Sequence, residues 1–218
     1  MVCGVDEAGR GPVIGPLVIA GVILHDETVL SKYNIRDSKK ITPKRREVLE
    51  HIIKQHAEAI EVVSIPAIDI DDMRKVMTLN EIEVFAFTKV IKKLKPRSCY
   101  VDAADVNEKR FGEDISTGLP KSIQIISKHK ADDIYPIVGA ASIIAKTARD
   151  REVQKIADKL EKRLNIPLGS GYPSDPLTQK FLKTWVASYG RLPPHTRKSW
   201  NTAKRILSES KRRTLDEF

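Results

Sequence analysis

Short segments rich in valine and isoleucine alternate with helix-forming segments through most of the chain, and this alternation constrains the fold more than any other feature. The pattern predicts strands at Val2–Val5, Leu17–Leu24, Glu58–Ile65, Ser98–Asp102 and Ser122–Ser127. Helix-forming segments alone follow the last of these strands. Strands interleaved with helices predict an α/β sheet, followed by a C-terminal region that consists of helices.

Capping residues indicate where the helices begin. Thr42 precedes a proline at the first helical position, and the helix that starts there is predicted to run to about His56. A capping box spans Thr78–Glu81, and apolar residues at helical spacing follow it. Further helices are predicted from Tyr135, from Asp175 and over Ser199–Ser210.

The charge of the chain is positive and concentrated near its end. The formal net charge of the whole chain is +9. Between Arg191 and Arg213, eight basic residues are opposed by one acid, Glu209, which gives this stretch a net charge of +7. A basic segment in a chain that carries acidic motifs elsewhere favours a polyanionic partner, and nucleic acid is the leading candidate.

Cysteine content and hydropathy favour a cytoplasmic location. The two cysteines, Cys3 and Cys99, are too few for a disulfide framework, and both are predicted to be buried in strands. No apolar run reaches about 18 residues, and the N-terminus lacks the pattern of a signal peptide. We expect a cytoplasmic protein with no membrane contact. We also expect a monomer, because the sequence shows no long exposed apolar stripe.

Four acids stand at or just after predicted strands. Asp6 and Glu7 end the first strand, Asp102 ends the fourth, and Asp132 follows shortly after the fifth. Strand ends of an α/β sheet form crevices where ligands bind. Four carboxylates in one pocket repel each other unless cations bind them, and all-oxygen ligands favour Mg²⁺ or Mn²⁺ over zinc. The pattern predicts a metal site, and an ordinary acidic turn is the alternative.

Glycines follow the paired acids. Neighbouring strand residues point to opposite faces, so Asp6 and Glu7 can share a site only where the strand breaks. Gly9 and Gly11 are expected to supply that break. The Gly9-Arg10-Gly11 turn lacks the Gly-Lys-[Ser/Thr] sequence and the following helix of a nucleotide triphosphatase. Its backbone amides are still suited to holding a single phosphate or a sugar hydroxyl.

Five motifs occur in a fixed order along nearly the whole chain. They are VDEAGRGPVIGPLVIAGV at Val5–Val22, DSKK at Asp37–Lys40, YVDAADV at Tyr100–Val106, HKADDIYPIVGAASIIAKTARDRE at His129–Glu152 and GSGYPSDP at Gly169–Pro176. Together they resemble the motifs of the type 2 ribonuclease H family (ribonuclease HII), and those of its archaeal members most of all.

This resemblance implies a ribonuclease-H-like fold, with a mixed five-stranded sheet flanked by helices and a C-terminal helical region. It implies a catalytic domain over residues 1–165, a helical substrate-binding region over residues 166–210 and a tail over residues 211–218. The implied activity is hydrolysis of the RNA strand of RNA–DNA hybrids, with nicking 5′ of ribonucleotides embedded in duplex DNA. The products would carry 5′-phosphate and 3′-hydroxyl ends.

The resemblance also implies catalysis by two Mg²⁺ or Mn²⁺ ions. The acids that match the family's metal ligands are Asp6, Glu7, Asp102 and Asp132. Asp6 would be shared by both ions, and Asp132 would have a looser role at the edge of the site. The neighbouring acids Asp105 and Asp133 are expected to be solvated, and Ser142 and Thr147 to be packing residues.

Substrate-binding residues are implied in the same way. The Gly9-Arg10-Gly11 turn would read the ribose 2′-hydroxyl, and Tyr172 would stack on the neighbouring deoxyribose. The basic residues expected to contact phosphates are Lys39, Lys146, His195, Arg197 and Lys198. For each of these bases, solvent exposure without a ligand is the alternative.

The last residues partly match the motif with which archaeal relatives dock on the sliding clamp. Leu215 and Phe218 fit its aliphatic position and its final aromatic position. Arg212 stands where glutamine is expected, and a second aromatic residue is absent. A disordered tail is the alternative.

Two functions of other classes compete with the nuclease. A non-catalytic nucleic-acid-binding module with this fold would gain nothing from a negative pocket that faces phosphates. An enzyme of the integrase or transposase type, with the same sheet, would cut duplexes made of DNA alone.

Overall fold

A five-stranded mixed sheet is the central element of the computed structural model, which describes residues 1–26, 28–33, 35 and 41–216. Its strands are β1 (Val2–Ala8), β2 (Leu17–Leu24), β3 (Ala57–Ile65), β4 (Ser98–Asp102) and β5 (Gln124–Lys128). They are arranged in the order β3-β2-β1-β4-β5. β1 is antiparallel to β2 and parallel to β4, and β4 is parallel to β5. The predicted mixed sheet is confirmed.

Helices connect the strands and follow the last of them. In the described residues they are α1 (Thr28–Lys32), α2 (Pro43–His56), α3 (Ala67–Met73), α4 (Leu79–Leu94), α5 (Glu108–Thr117), α6 (Ala131–Ile134), α7 (Pro136–Leu164), α8 (Pro176–Tyr189) and α9 (Asn201–Asp216). None of these described helices is both long enough and apolar enough to cross a membrane. The predicted C-terminal helices are present as α8 and α9.

Two compact units divide these elements. The first comprises Met1–Ala8, Val18–Ser64 and Met77–Ala148, and the second comprises Gly9–Leu17, Ile65–Val76 and Arg149–Phe218. The first unit contains nearly all of the sheet and the N-terminal part of α7. The second contains α3, the C-terminal part of α7, α8 and α9. The domain boundaries placed after residues 165 and 210 stay predictions.

The core of the first unit forms where α7 packs on the sheet. Its buried apolar residues come mainly from β2, α2 and α7. Gly4 of β1 permits a close approach of α7, because a Cβ atom there would lie 2.3 Å from the carbonyl oxygen of Ile137. Any larger residue would push α7 away from the strand that carries Asp6.

The core of the second unit brings its helices together. Buried apolar residues of α7, α8 and α9 pack on one another, with Phe181 and Trp185 the largest of them. Val13 and Ile14, from the loop between β1 and β2, belong to the same cluster. This packing fixes the loop that contains Gly9-Arg10-Gly11 within its unit.

Side-chain caps begin each of the three helices for which the sequence predicts them. Thr42 accepts a hydrogen bond from the Arg45 N–H at the start of α2. Thr78 and Glu81 form the reciprocal bonds of a capping box at the start of α4. Asp175 caps α8. These signals are local in sequence, which is why the sequence predicts them correctly.

β1 differs from its prediction. It continues past Val5 through Asp6 and Glu7 to Ala8, and Glu7 pairs with Ile19 of β2. The predicted strand end at Val5 is therefore wrong, because pairing with the apolar β2 continues through the paired acids. The strand ends at Ala8, directly before Gly9, where the break is predicted. The sequence pattern also does not predict α1, α3, α5 and α6, since short helices show too few turns for an apolar period to emerge.

Candidate active site

Three aspartate carboxylates of the first unit converge beside β1 and β4. Asp6 lies on β1, Asp102 is the last residue of β4, and Asp132 lies in α6. The parallel strands pair Val5 with Val101, so the residues that follow them, Asp6 and Asp102, lie side by side. One carboxylate oxygen from each aspartate lies within 4.8 Å of the other two.

A hydrogen bond at the start of α6 orients Asp102. The backbone N–H of Ala131 donates to Asp102 Oδ1 over 2.8 Å. Lys130, which precedes α6, has a left-handed backbone with a φ of 55° and turns the chain into this helix. Because Asp132 is the next residue after Ala131, the bond that fixes Asp102 also holds Asp132 beside it.

Burial and repulsion raise the pKa of Asp6. The residue is only 4% exposed. Desolvation is the largest cause and the charge of Asp102 is the next, and together they raise the pKa of Asp6 from 3.8 to about 7. A hydrogen bond with Ser142 and the charge of Lys146 act in the opposite direction. The site therefore concentrates more negative charge than its protein surroundings neutralise.

Two polar residues of α7 contact this cluster. Lys146 Nζ donates to Ser142 Oγ over 2.7 Å and lies 4.0 Å from Asp132 Oδ2. Ser142 is fully buried and hydrogen-bonded to Asp6. The prediction that Ser142 is a packing residue therefore misses a polar contact. A signal was present in its spacing, because Ser142 precedes Lys146 by four residues and so shares its face of the helix.

Glu7 lies next to the cluster on a continuous strand. Its backbone N–H donates to Asp6 Oδ1 over 2.7 Å. Among the described residues, the group of oxygens within 4.8 Å consists of those of the three aspartates. The Glu7 side chain lies outside this group, is half-buried and has a buried Oε2 atom. The role of Glu7 as a fourth metal ligand stays a prediction.

The two neighbouring acids behave differently from each other. Asp133 is exposed, as predicted. Asp105 is buried, so the prediction of a solvated side chain is wrong. Arg110 donates to both Asp105 oxygens, and Asn80 donates to Oδ2 over 2.9 Å. These bonds, with that from Arg110 the strongest, lower the pKa of Asp105 and fix the loop after β4.

The donor set of the three aspartates suits a hard divalent cation. All three ligands are carboxylates, which select Mg²⁺ or Mn²⁺ rather than the softer metals that thiolates and imidazoles hold. The raised pKa of Asp6 shows that a bound positive charge would reduce the repulsion among the three carboxylates. The residues present therefore fit a divalent metal.

The Gly9-Arg10-Gly11 turn belongs to the second unit, together with Tyr172. Gly9 has a φ of 90°, and a Cβ atom there would lie 2.6 Å from the carbonyl oxygen of Pro16. A Cβ atom on Gly11 would lie 3.6 Å from Cε1 of Tyr172. The two features predicted to read the sugar are thus neighbours.

Tyr172 stands on a well-supported loop. Its side chain is among the exposed large rings of the chain. The Arg149 guanidinium lies 5.2 Å from the ring centroid, and Arg149 Nη2 donates to the carbonyl oxygen of Ser170 over 2.8 Å. The carboxylate of Asp175 accepts from both the N–H and the hydroxyl of Ser170. The exposed ring is therefore held by contacts on its protein side.

The predicted phosphate contacts fall into distinct environments. Arg197 is fully buried, and its guanidinium donates to backbone carbonyl oxygens, so the predicted phosphate contact is wrong for this residue. Lys146 lies at the acid cluster. Lys198 and His195 are exposed. Desolvation of part of the His195 ring, followed by the charge of nearby Lys159, lowers the pKa of His195.

Other predicted contacts lie at the limits of the described residues. Lys39 and Phe218 lie outside them. Leu215 lies within the helical range of α9.

Comparisons with known proteins agree with this geometry. The family model described as Ribonuclease HII matches residues 3–203. The ribonuclease HII of Methanosarcina barkeri is 45% identical over 222 residues, which cover 97% of each chain. The structure of the PCNA:RNase HII complex from Archaeoglobus fulgidus aligns with a TM-score of 0.87 and 40% identity over 100% of both chains. The ribonuclease H2 of Pyrococcus horikoshii aligns with a TM-score of 0.87 and 42% identity, over 96% of this chain and 98% of that one.

Proposed function

This chain belongs to the ribonuclease HII family, and we propose that it hydrolyses the RNA strand of RNA–DNA hybrids. The observation that carries this proposal is the group of converging carboxylates from Asp6, Asp102 and Asp132, of which Asp6 and Asp132 are buried. Without cations such a group repels the phosphates of a nucleic acid. With divalent cations bound it becomes a site for phosphodiester hydrolysis.

We propose that two Mg²⁺ or Mn²⁺ ions are held by Asp6, Glu7, Asp102 and Asp132. Bound ions would supply an activated water and a charge that stabilises the departing 3′ oxygen, which leaves 5′-phosphate and 3′-hydroxyl ends. Asp6 is buried and its charge interacts with those of both other aspartates, which makes it the least replaceable ligand. The Ala131 N–H keeps Asp102 aimed at the same point.

Lys146 and Ser142 have a supporting role in this proposal. The Lys146 ammonium lies close to Asp132 and offsets part of the negative charge of the cluster. The Ser142 hydroxyl accepts a hydrogen bond from Lys146 and is also bonded to Asp6. These two residues fix the side chains that would otherwise repel each other, and they do so from the rigid helix α7.

We propose that the Gly9-Arg10-Gly11 turn and Tyr172 recognise the ribonucleotide. A 2′-hydroxyl is both a donor and an acceptor, and the peptide groups of a turn offer both partners. The exposed ring of Tyr172 adjoins Gly11 and offers an apolar face to a sugar. Recognition of one ribose would allow nicking 5′ of a single ribonucleotide in duplex DNA. Lys198 and His195 would contact phosphates at the surface.

We also propose that the C-terminal residues bind the sliding clamp. The Archaeoglobus fulgidus relative, 40% identical to this chain, is in complex with PCNA. Deleting residues 215–218 should abolish co-elution with an archaeal clamp in gel filtration and leave cleavage unchanged. Undiminished co-elution would refute this role of Leu215 and Phe218. We expect the enzyme itself to elute as a monomer, and we place it in the cytoplasm.

Cleavage of three matched duplexes tests the proposed activity. One is an RNA–DNA hybrid, the second is DNA with one internal ribonucleotide, and the third is the same duplex made of DNA alone. With Mg²⁺ we expect cuts in the first two and none in the third, and chelation of the metal should stop both reactions. Cleavage of the all-DNA duplex would favour an integrase-like enzyme. Binding without any cleavage would favour a non-catalytic module.

A further inference from the structure

Arg197 is a completely buried charged residue of the second unit. A buried guanidinium is costly unless its donors are satisfied. Its Nε donates to the carbonyl oxygen of Gly15 over 3.0 Å, its Nη1 to that of Arg10 over 2.8 Å and its Nη2 to that of Gly9 over 2.5 Å. All three acceptors belong to one loop of seven residues, from Gly9 to Gly15.

Trp200 and the backbone of Arg197 bind the same loop. The Trp200 indole N–H donates to the carbonyl oxygen of Gly11 over 3.3 Å. The Arg197 N–H donates to the carbonyl oxygen of Val13 over 2.8 Å. The indole ring also covers the guanidinium, with 4.9 Å between Arg197 Cζ and the ring centroid. Five carbonyl groups of the loop are thus bound from residues 197 and 200.

The segment that supplies these donors is itself anchored. Asp71, on α3, accepts from the Lys198 N–H over 2.7 Å through one carboxylate oxygen. Its other oxygen accepts from both the N–H and the hydroxyl of Ser199, over 2.9 Å and 2.6 Å. Lys198 and Ser199, the two residues between Arg197 and Trp200, are therefore both held by Asp71.

The loop needs such external support. Residues 9, 11 and 15 of the chain, all in this loop, are glycines, and Gly9 and Gly15 have φ values of 90° and 102°. Glycine loses more conformational entropy on ordering than any other residue, so a loop of this composition does not hold a single shape by itself. Arginine suits the task because its planar group presents five donors in fixed directions, whereas lysine has a single nitrogen.

We propose that Arg197 is a positioning residue for ribonucleotide recognition. With Trp200 it binds the carbonyl groups of the loop and so fixes Gly9-Arg10-Gly11 in the shape that meets the 2′-hydroxyl of the substrate. This inference rests on the proposed role of that turn in reading the ribose. It assigns to Arg197 an effect on discrimination between RNA and DNA without any contact with the nucleic acid.

Binding to two duplexes that differ by one 2′-hydroxyl tests this inference. Affinities are measured by fluorescence anisotropy with Ca²⁺ in place of Mg²⁺, for the wild type and for Arg197→Lys. The substitution keeps the charge, but its one nitrogen cannot reach three carbonyl groups. We expect the preference for the ribonucleotide duplex to fall about tenfold, the scale of one or two lost hydrogen bonds. Affinity for the all-DNA duplex should change little.

Arg205→Lys is the matched control, because Arg205 is an exposed arginine of α9 that pairs with Glu209. It should leave the preference of the wild type intact. A folded Arg197→Lys variant with the full preference would overturn the proposal. A merely structural role would lower the melting temperature and both affinities together, and that result would overturn it as well.

Trp200→Phe provides a second test that does not depend on the folding of Arg197→Lys. It removes the indole N–H and keeps a ring beside the guanidinium. In both variants, the backbone N–H groups of residues 10, 11 and 13–15 should exchange hydrogen faster, while those of α8 are unchanged. A Trp200→Phe protein with wild-type preference and wild-type exchange would refute the proposal. If the wild type itself shows no preference, the ribose-reading role of the turn fails, and the exchange rates still decide whether Arg197 orders the loop.

Discussion

Replacing Asp6 with asparagine should make the metal-free protein more stable while it abolishes activity. Asp6 is 4% exposed and lies beside Asp102, so its negative charge is unfavourable in the folded chain. Asparagine has nearly the same shape and carries no charge. The substitution therefore removes the repulsion and removes a proposed metal ligand in one step.

The pKa of Asp6 gives the size of the effect. A rise from 3.8 to about 7 corresponds to about 4 kcal/mol of unfavourable free energy when the carboxylate is fully ionised. Asparagine weakens the hydrogen bonds that Asp6 accepts, including the one from the Glu7 N–H, at a cost of about 1 kcal/mol each. We therefore expect Asp6→Asn to raise the free energy of unfolding by about 2 kcal/mol at pH 8.

The effect should depend on pH in a defined direction. Because the pKa of Asp6 is higher in the folded chain than in the unfolded chain, the folded protein binds more protons between pH 3.8 and about 7. The free energy of unfolding of the wild type should fall as the pH rises through this window. At pH 5 the wild-type carboxyl is mostly protonated, so the advantage of Asp6→Asn should be small.

Urea denaturation of both proteins at pH 5 and pH 8, with and without Mg²⁺, measures these differences. Added Mg²⁺ should stabilise the wild type and leave Asp6→Asn unchanged, because a ligand stabilises only the state that binds it. A variant that is less stable than the wild type at pH 8 without metal would refute this reasoning. So would a gain in stability that is equal at the two pH values.

Three further predictions concern other parts of the chain. Gly4→Ala should lower the free energy of unfolding by about 1–3 kcal/mol in urea denaturation, because its Cβ atom would overlap the backbone of Ile137. An unchanged stability would contradict the packing of α7 on β1. Asp175→Ala should cost about 1 kcal/mol at pH 7, since it removes the cap of α8. Hydrogen bonds, first among them that from the Ser170 N–H, lower the pKa of Asp175 to about 2. The cost of Asp175→Ala should therefore disappear as the pH falls from 4 towards 2. A cost that persists in acid would contradict this role of the Asp175 carboxylate. Lys198→Gln should weaken hybrid binding at all sequences and reduce the salt slope by about 1, and an unchanged slope would show that this exposed base does not contact phosphate.

The sequence predicts the features whose signals are local. β-Branched residues indicate the strands, and capping residues such as Thr42 and Asp175 indicate where helices begin. Asp102 and Asp132 stand out because they follow strands, and the structure brings both to Asp6. In these cases a few neighbouring residues determine the local structure, and the parallel arrangement of the strands does the rest.

The features that the sequence does not predict depend on distant contacts. Arg197 bonds the carbonyl group of Gly9 across 188 positions of the chain, and no local pattern distinguishes it from an exposed base. Asp105 is buried by its bonds with Arg110 and Asn80, which lies 25 positions away. The continuation of β1 past Val5 through Glu7 depends on its pairing with β2, which the residues around the paired acids do not reveal.

The rate of cleavage at a single ribonucleotide tests the central claim most directly. The duplex is mixed with excess enzyme and Mg²⁺, and the wild type is compared with Asp102→Asn and with Asp133→Asn. Asp133 is an exposed acid adjacent to Asp132 and outside the carboxylate group, so its substitution is the matched control. We predict that Asp133→Asn cuts at the wild-type rate and that Asp102→Asn is slower by at least about a hundredfold. Equal rates for the wild type and Asp102→Asn would contradict the assignment of the catalytic metal site to this cluster.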